Sequence, residues 1–416
     1  MTLVSFAPFR HRSYARLWTG AFVSNIGTWM QMVAIAAYVT DVTGKATWTG
    51  LVAAADFIPI ALLAPIGGAL ADRAPRRLLL VTTSLVQAGF AAALTLLFVT
   101  GDPAPALVTL CVFGGGVASA LGFPAYQAML PDLVPEEDLP GAISLSSAQY
   151  NLGRIVGPAL AGIVIAVGGY GWALGLNAAS FFAVVVVVLS LTLPPPPNAN
   201  AGVTIRAAIA EGVRFVRGDA GLRVAFSAMC VNTLLAAPFI ALVPAMAQNV
   251  FDAGSRGTSI LVTAQGIGAV LMAFMLNSFV QRFGTGRTVA TLLTVLPAAL
   301  VLYAGAPHLW SSAIALFVVG FLYLGTLSSF FTISQLRAPA ALRGRVLSVN
   351  NLVLGSLYPL GALIQGRLAD AVGLRVTTAA AAAILAFVVI IARVLRPGLV
   401  DVIDAGVDIG PSAVAT

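Results

Sequence analysis

Two charged side chains stand alone inside long apolar runs of this chain, Asp56 and Arg154. A charge within a membrane-spanning segment costs about 3 kcal/mol even on insertion scales, so each needs a partner, water or a task. Counting about 1.5 Å per helical residue from boundaries near Thr49 and Gly141, Asp56 lies ~10 Å below one membrane face. Arg154 lies ~20 Å above the other, which brings both to one level of a ~30 Å core. Two readings fit that placement. The pair is a fixed structural bridge, or Asp56 is a proton-coupling carboxylate whose charge is gated by Arg154. Ser144, Ser147, Asn151 and Arg154 recur three, four and three apart and so share one helical face. Ser24, Asn25, Thr28 and Gln31 fall within one arc of another helix. Such faces suit the walls of a water-filled cavity, with Asn25, Thr28, Gln31, Ser147 and Asn151 as lining candidates; interhelical hydrogen bonding is the rival reading.

A third cluster is Gly68-Ala-Leu-Ala-Asp72-Arg73-Ala-Pro-Arg76-Arg77, a charged turn between two apolar runs. Gly68 permits close helix approach, Asp72 can cap a neighbouring helix N-terminus, and the arginines hold the turn at a membrane surface. Chemistry of other kinds finds no footing. His11 and His308 have no metal-ligating companions, and Cys111 and Cys230 sit in apolar runs as packing residues. There is no phosphate-cradling loop and no G-x-S-x-G. The sequence therefore points to no enzyme, no metal and no cofactor, and any work must draw on a gradient.

The elements that position these residues follow from hydropathy. The chain is 59% hydrophobic and 9% charged, against about 25% charged in soluble domains. Apolar spans read at 16–40, 47–71, 77–100, 105–129, 141–167 and 171–193, then at 223–249, 257–281, 287–306, 310–334, 346–370 and 375–395. The first apolar run, Leu17 to Val39, is long enough to remain as an anchor. The fold class is all-α integral membrane, with twelve transmembrane helices in two six-helix bundles over 1–193 and 223–396. Between them, 194–222 begins with Pro194–Pro197 and continues with Ile205, Ile209, Val213 and Val216 at helical spacing. Arg206, Arg214 and Arg217 occupy other faces, so an amphipathic helix on the cytoplasmic lipid surface is expected. Residues 397–416, with Asp401, Asp404 and Asp408, are expected to be a disordered cytoplasmic tail. Arg367 and Asp370, three apart near an outer boundary, are expected to pair locally.

Twenty-one of the 22 basic residues are arginines. With the N-terminus inside, seventeen basic residues fall on the cytoplasmic side and only Lys45, Arg256 and Arg375 in outer loops. That bias places both termini in the cytoplasm of a bacterial-type inner (plasma) membrane. The +7 net charge is thus topology, since no basic stripe interleaved with aromatics points to nucleic acid. The expected partners are the lipid bilayer, a small-molecule substrate and protons, for a monomer. The halves are weak copies: Leu139-Pro-Gly141 matches Leu342-Arg-Gly344, and Asn277 to Arg287 stands where a second charged turn belongs, with Gln281 in place of the acid. Six-helix repeats put a substrate site near the midplane between the halves.

The G-x-x-x-D-R-x-x-R-R string from Gly68 to Arg77 resembles the loop 2–3 motif of the major facilitator superfamily, with Pro75 where that motif usually has glycine. Gly153-Arg154-Ile-Val-Gly157-Pro158-Ala-Leu-Ala-Gly162 resembles the helix 5 motif of its drug:proton antiporters. Ser24 to Gln31, Phe123 to Pro135 and Arg343 to Ser348 resemble the enterobactin exporter and macrolide-efflux group. The resemblance runs from about Phe9 to Val394. It implies alternating-access export of an amphiphilic drug, macrolide or siderophore, with Gly153, Gly157, Pro158 and Gly162 forming a gate. It also implies that Asp72 caps the eleventh span near Arg345 and Val346 in the outward-open state, while Arg76 or Arg77 pairs with Asp132. Lysophospholipid flipping is an alternative within the fold, and a non-transporting membrane sensor is another.

Overall fold

The computed structural model describes residues 6–191, 205–396 and 398–405. Among them there are helices and no strands. The helices are α1 (Arg12–Thr43), α2 (Ala46–Arg73), α3 (Arg76–Thr100), α4 (Pro105–Leu133), α5 (Leu139–Ser190), α6 (Ile205–Gly218) and α7 (Ala220–Leu235), followed by α8 (Phe239–Asn249), α9 (Gly254–Phe283), α10 (Thr285–Gly305), α11 (Leu309–Arg337), α12 (Ala340–Val372), α13 (Leu374–Leu395) and α14 (Leu399–Asp404).

Eleven stretches are long and apolar enough to cross a membrane. One of them contains α5, whose 52 residues bend at Gly169, φ 74°, a backbone state that glycine reaches without the Cβ penalty. The two arms of α5 make two crossings, which recovers twelve passes. Helices α7 and α8 form one crossing, interrupted at Ala236–Pro238, where the proline removes a donor and the helix restarts. Gln365 of α12 covers the break, its side-chain amide donating to the Leu234 and Leu235 carbonyls at 3.2 and 2.9 Å. Irregular backbone at membrane depth needs such a partner.

Helices α1–α5 form one half and α7–α13 the other. The first half packs α1 along α5, where Tyr14 donates to the Ala142 carbonyl and Trp18 to the Leu145 carbonyl, each at 2.9 Å. Its core includes Leu17, Met129 and Val188 at one end and Ile35, Leu94 and Leu174 at the other. The second half buries Phe239, Leu261, Met272 and Leu316. Large apolar side chains such as Leu96, Phe274, Phe387 and Val394 point outward, the surface a bilayer would cover. We call the end carrying residues 6–11 and 398–405 the termini end, and the opposite one the far end.

Three expectations change. The first crossing of the second half begins at Ala220, with Asp219 capping it by accepting from the Leu222 N–H at 2.7 Å. Helix α6 forms, but it rests on protein as well as whatever surrounds it. Val216 is buried, Glu211 is ion-paired with Arg345, and Gly212 lies tight against the Arg345 carbonyl. The side chain of Arg206 lies outside those described. Finally, 399–404 is not disordered. Ile403 is buried, and Asp404 accepts from the Gly286 N–H at 2.8 Å. Arg337 donates to the carbonyls of Val402, Ile403 and Ala405 at 3.2, 2.9 and 2.6 Å. It also forks onto Asp219 at 2.7 and 2.9 Å. One guanidinium thus gathers the orphan carbonyls of a short helix, a long-range contact that local composition cannot reveal. Residues 406–416, with Asp408, lie outside the described ones.

Candidate functional site

Both halves contribute to a central cavity at mid-depth. Its walls are Asn25, Thr28, Trp29 and Gln31 of α1, Asp56 and Phe57 of α2, Tyr150 and Arg154 of α5, Ile240 and Pro244 of α8, Gln265 of α9 and Tyr358 of α12, among others. The local sequence explains the placement. Small residues let the helices approach: Gly116 of α4 lies against the backbone of Asp56, and Gly157 of α5 against Trp29 and the Ile26 carbonyl. Gln31 is fixed from behind, its side-chain oxygen accepting from the Asn177 amide at 2.8 Å.

Asp56 and Arg154 reach the same cavity, as their depths imply, but they form no ion pair. The Arg154 guanidinium sits 5.4 Å from the Trp29 ring centroid, and Tyr150 meets the same ring edge-on at 5.7 Å. Asp56 takes part in none of the four ion pairs found among the described residues. Tyr150 and Tyr358 each lie within electrostatic reach of both charges. The structure therefore holds an acid and a guanidinium on the wall of one cavity, with two tyrosines within electrostatic reach of both and no ion pair between the charges.

The cavity is closed at the far end and parted at the termini end. Helices α2 and α12 touch from Ala46 down to Ala61. A Cβ on Gly50 would stand 2.6 Å from the Ala362 carbonyl, and one on Gly355 would stand 2.8 Å from the Ala61 side chain. Between these levels, Phe57 and Tyr358 meet edge-on at 5.0 Å. Below them Gly68 of α2 and Gly344 of α12 both face open space, and no contact between the two helices at that level is found among the described glycines. The far end is further latched by Asp370 of α12, which accepts from the Ala46 and Thr47 N–H groups at 2.6 and 3.1 Å and from the Thr47 hydroxyl. Asn249 adds a bond to the Gly44 carbonyl at 2.9 Å. Local pairing of Asp370 with Arg367 does not occur: the free N–H groups of α2 satisfy the carboxylate better than one exposed guanidinium does.

Of the residues the sequence singled out, Asn25, Thr28, Gln31, Asp56 and Arg154 line the cavity. Ser147 is exposed nearer the termini end, while Ser24 is buried and gives its carbonyl to the Thr28 hydroxyl at 3.0 Å. In the helix 5 motif, Gly153 and Gly157 pack on α1 within the half, and Gly162 packs on Ser259 of α9 across the halves. Pro158 stands between them inside α5. In the charged turn, Arg76 pairs with Asp132 at 2.6 Å and donates to the Ala128 carbonyl at 2.8 Å. Arg77 donates instead to the Leu189 carbonyl, and Arg73 is exposed. The side chains of Asp72 and Asn151 lie outside those described. Sequence reasoning noticed Asp370 but gave it the wrong partner, and it missed Gln265 and Tyr358. Lone amides within apolar runs were the available signal for Gln265; nothing local marked Tyr358.

Comparison with known proteins agrees with this fold. The family model described as transmembrane secretion effector matches residues 3–405. The multidrug efflux pump Tap of Mycolicibacterium fortuitum is 28% identical over 367 residues, covering 86% of this chain and 89% of that protein. Macrolide efflux protein A of Streptococcus pyogenes is 23% identical over 371 residues, with the same coverage. The enterobactin exporter EntS of Citrobacter koseri is 27% identical over 175 residues, 41% of each chain. A crystal structure of a bacterial homologue of the iron transporter ferroportin, in its inward-facing state, superposes with a TM-score of 0.68. It is 17% identical and covers 91% of this chain and 98% of that one, a likeness of fold.

Proposed function

This chain belongs to the major facilitator superfamily, in its transmembrane secretion effector family, and we propose that it exports an amphiphilic small molecule by alternating access, driven by proton antiport. The observation that carries the reading is the cavity between the halves, sealed at the far end and parted at the other, with Asp56 and Arg154 unpaired on its wall. The relatives named for efflux of multiple drugs, of macrolides and of enterobactin support the direction and the breadth of substrate. Arginine placement supports a cytoplasmic termini end, so this cavity is inward-facing and loads from the cytoplasm.

Coupling then needs a group that binds a proton on one side and releases it on the other. Asp56 is an acid inside a membrane crossing and in the cavity. Approach of the Arg154 guanidinium would favour its carboxylate and expel the proton; withdrawal would let it take up another. Tyr150, within reach of both, stands where it can relay polarity between them. Rocking of the halves about the α2–α12 and α5–α9 contacts would change which side reaches the cavity, while a turn of the Arg154 side chain away from Trp29 within the first half would bring the two charges together.

Transport into inverted vesicles, with a panel of drugs, macrolides and siderophores under an imposed pH gradient, tests this reading. We expect uptake that a protonophore collapses. Asp56→Asn should abolish the pH dependence while keeping substrate binding. Uphill uptake by Asp56→Asn with normal pH dependence would remove Asp56 from the coupling role. Arg154→Ala should also lower the yield of folded protein, because it removes the guanidinium packed on the Trp29 ring.

A further inference from the structure

The two walls of the cavity are chemically unlike. Asp56 and Arg154 both stand on the first half. The facing wall is neutral, yet it presents two buried polar atoms that have no hydrogen-bond partner among the described residues: the side-chain nitrogen of Gln265 on α9 and the hydroxyl of Tyr358 on α12. Both side chains line the cavity, and they are only 2% and 4% exposed. A buried donor left unpaired burdens the fold, and an apolar side chain of the same shape would avoid that burden. Such a group is therefore expected where something else completes it.

Both residues stand on closely packed backbone or ring, and the Tyr358 tip is held in direction. The Tyr358 ring is set edge-on against Phe57 at 5.0 Å and 76°, which fixes the direction of its hydroxyl. Gln265 sits at a tight helix crossing, where a Cβ on Gly320 of α11 would stand 2.1 Å from the Gln265 carbonyl. Its nitrogen can only donate, and a tyrosine hydroxyl can donate or accept. Two donors on an otherwise apolar wall match acceptor oxygens of a ligand. They give nothing to a hydrocarbon cation, which has no lone pair to offer them.

We propose that Gln265 and Tyr358 are the specificity-determining pair of this cavity and select oxygen-rich substrates. They donate hydrogen bonds to carbonyl, ether or hydroxyl oxygens while the remainder of the molecule lies along Trp29, Phe57 and the apolar walls. The inference rests on the export reading of the same cavity, but it concerns binding and so can be tested apart from transport. Discrimination of this kind exceeds what apolar contact alone provides, because a substrate lacking the oxygens leaves the buried donors unmet.

The test is equilibrium binding of two radiolabelled probes to the purified full-length protein in detergent. Erythromycin is rich in acceptor oxygens, and tetraphenylphosphonium has none. Tyr358→Phe keeps the ring against Phe57 and removes only the hydroxyl; Gln265→Leu keeps the bulk and removes the amide. Each should weaken erythromycin binding by roughly 3- to 10-fold, as expected for one buried neutral hydrogen bond. Tetraphenylphosphonium binding should not change, which also shows that the variants are folded around an intact cavity. Erythromycin affinity unchanged in both variants overturns the proposal, and so does an equal loss of both probes. A wild-type protein that shows this binding pattern but never moves erythromycin uphill in vesicles upholds the pair and overturns the export reading.

Discussion

Helices α2 and α12 run side by side in opposite directions, and their two ends are in opposite conditions. At the far end, the C-terminal turn of α12 meets the N-terminus of α2, and Asp370 fills its unpaired N–H groups. At the termini end the order is reversed: the C-terminal turn of α2, which carries Asp72, and the N-terminus of α12 both lie at this end of the molecule. There Gly68 and Gly344 face open space. The chain thus carries an acid at the end of each helix, suited to the start of the other. A rocking motion that opens one end and closes the other would exchange one cap for the other, so the two states would differ by the small difference between similar contacts. That near balance is what a carrier needs, because a ligand can shift an equilibrium only by its differential affinity for the two states.

Crowding the closed end should have the largest effect. In Gly50→Leu the new side chain meets the Ala362 carbonyl of α12, 2.6 Å from where its Cβ would stand. Overpacking typically costs about 1–3 kcal/mol, so the far-end-closed state should become the minor one. Spin labels at Val42 and Val372, both exposed, should report a longer distance in most molecules. An unchanged distance distribution would mean that this contact does not hold the far end shut. A gentler intervention gives two variants of opposite sign. Asp370→Asn removes the charged cap and should favour the far-end-open state by about 1 kcal/mol, or ~5-fold in population. Asp72→Asn should favour the present state by a similar amount and slow cycling without impairing membrane insertion. If both variants shift the same label pair in the same direction, the exchange of caps is wrong.

The smallest effect belongs to a part of the termini end that should not join the exchange. Burial alone would raise the pKa of Asp219, but hydrogen bonds from Arg337 and the Leu222 N–H outweigh it and hold the carboxyl below its usual 3.8. A depressed folded value means that this contribution to stability is fully present above about pH 3.8 and is lost as the pH falls through the folded value. Protection factors in 399–404, with the intrinsic pH dependence of amide exchange divided out, should therefore stay flat from neutral pH down to about 4 and fall only below it. A fall beginning near pH 6 would show that another group secures α14.

The crossings and the two-half plan were legible because apolar length and arginine bias are averages over many residues, which single contacts cannot mask. Asp56 and Arg154 were legible as placements, since a charge in an apolar run is rare enough to notice. Their separation was not, because depth along two helices says nothing about the direction in which each side chain turns; Arg154 turned to Trp29. Asp370 was assigned to its sequence neighbour because i, i+3 spacing is the only partner a sequence displays. The N–H groups it found are 324 and 323 positions away. Tyr358 reads as one more aromatic in a core stripe, and only the facing Phe57 and the absence of a hydrogen-bond partner for its buried hydroxyl among the described residues distinguish it. Helix α14 was hidden for a related reason. Six residues with two acids look solvated until an arginine on α11 and a helix start on α10 are known to stand beneath them.

The anchoring of the two chain ends makes the molecule its own measuring device. The turn Ala7–Arg10 leads into His11, whose ring bonds to Asp138 of the first half at 2.8 Å, and α14 is clamped to the second half by Arg337. A fluorophore at Phe6, 69% exposed, and another at Ala405 would each ride on a different half. Their energy transfer would then follow the angle between the halves in real time, and single-molecule traces could count transport strokes without a label inside the membrane.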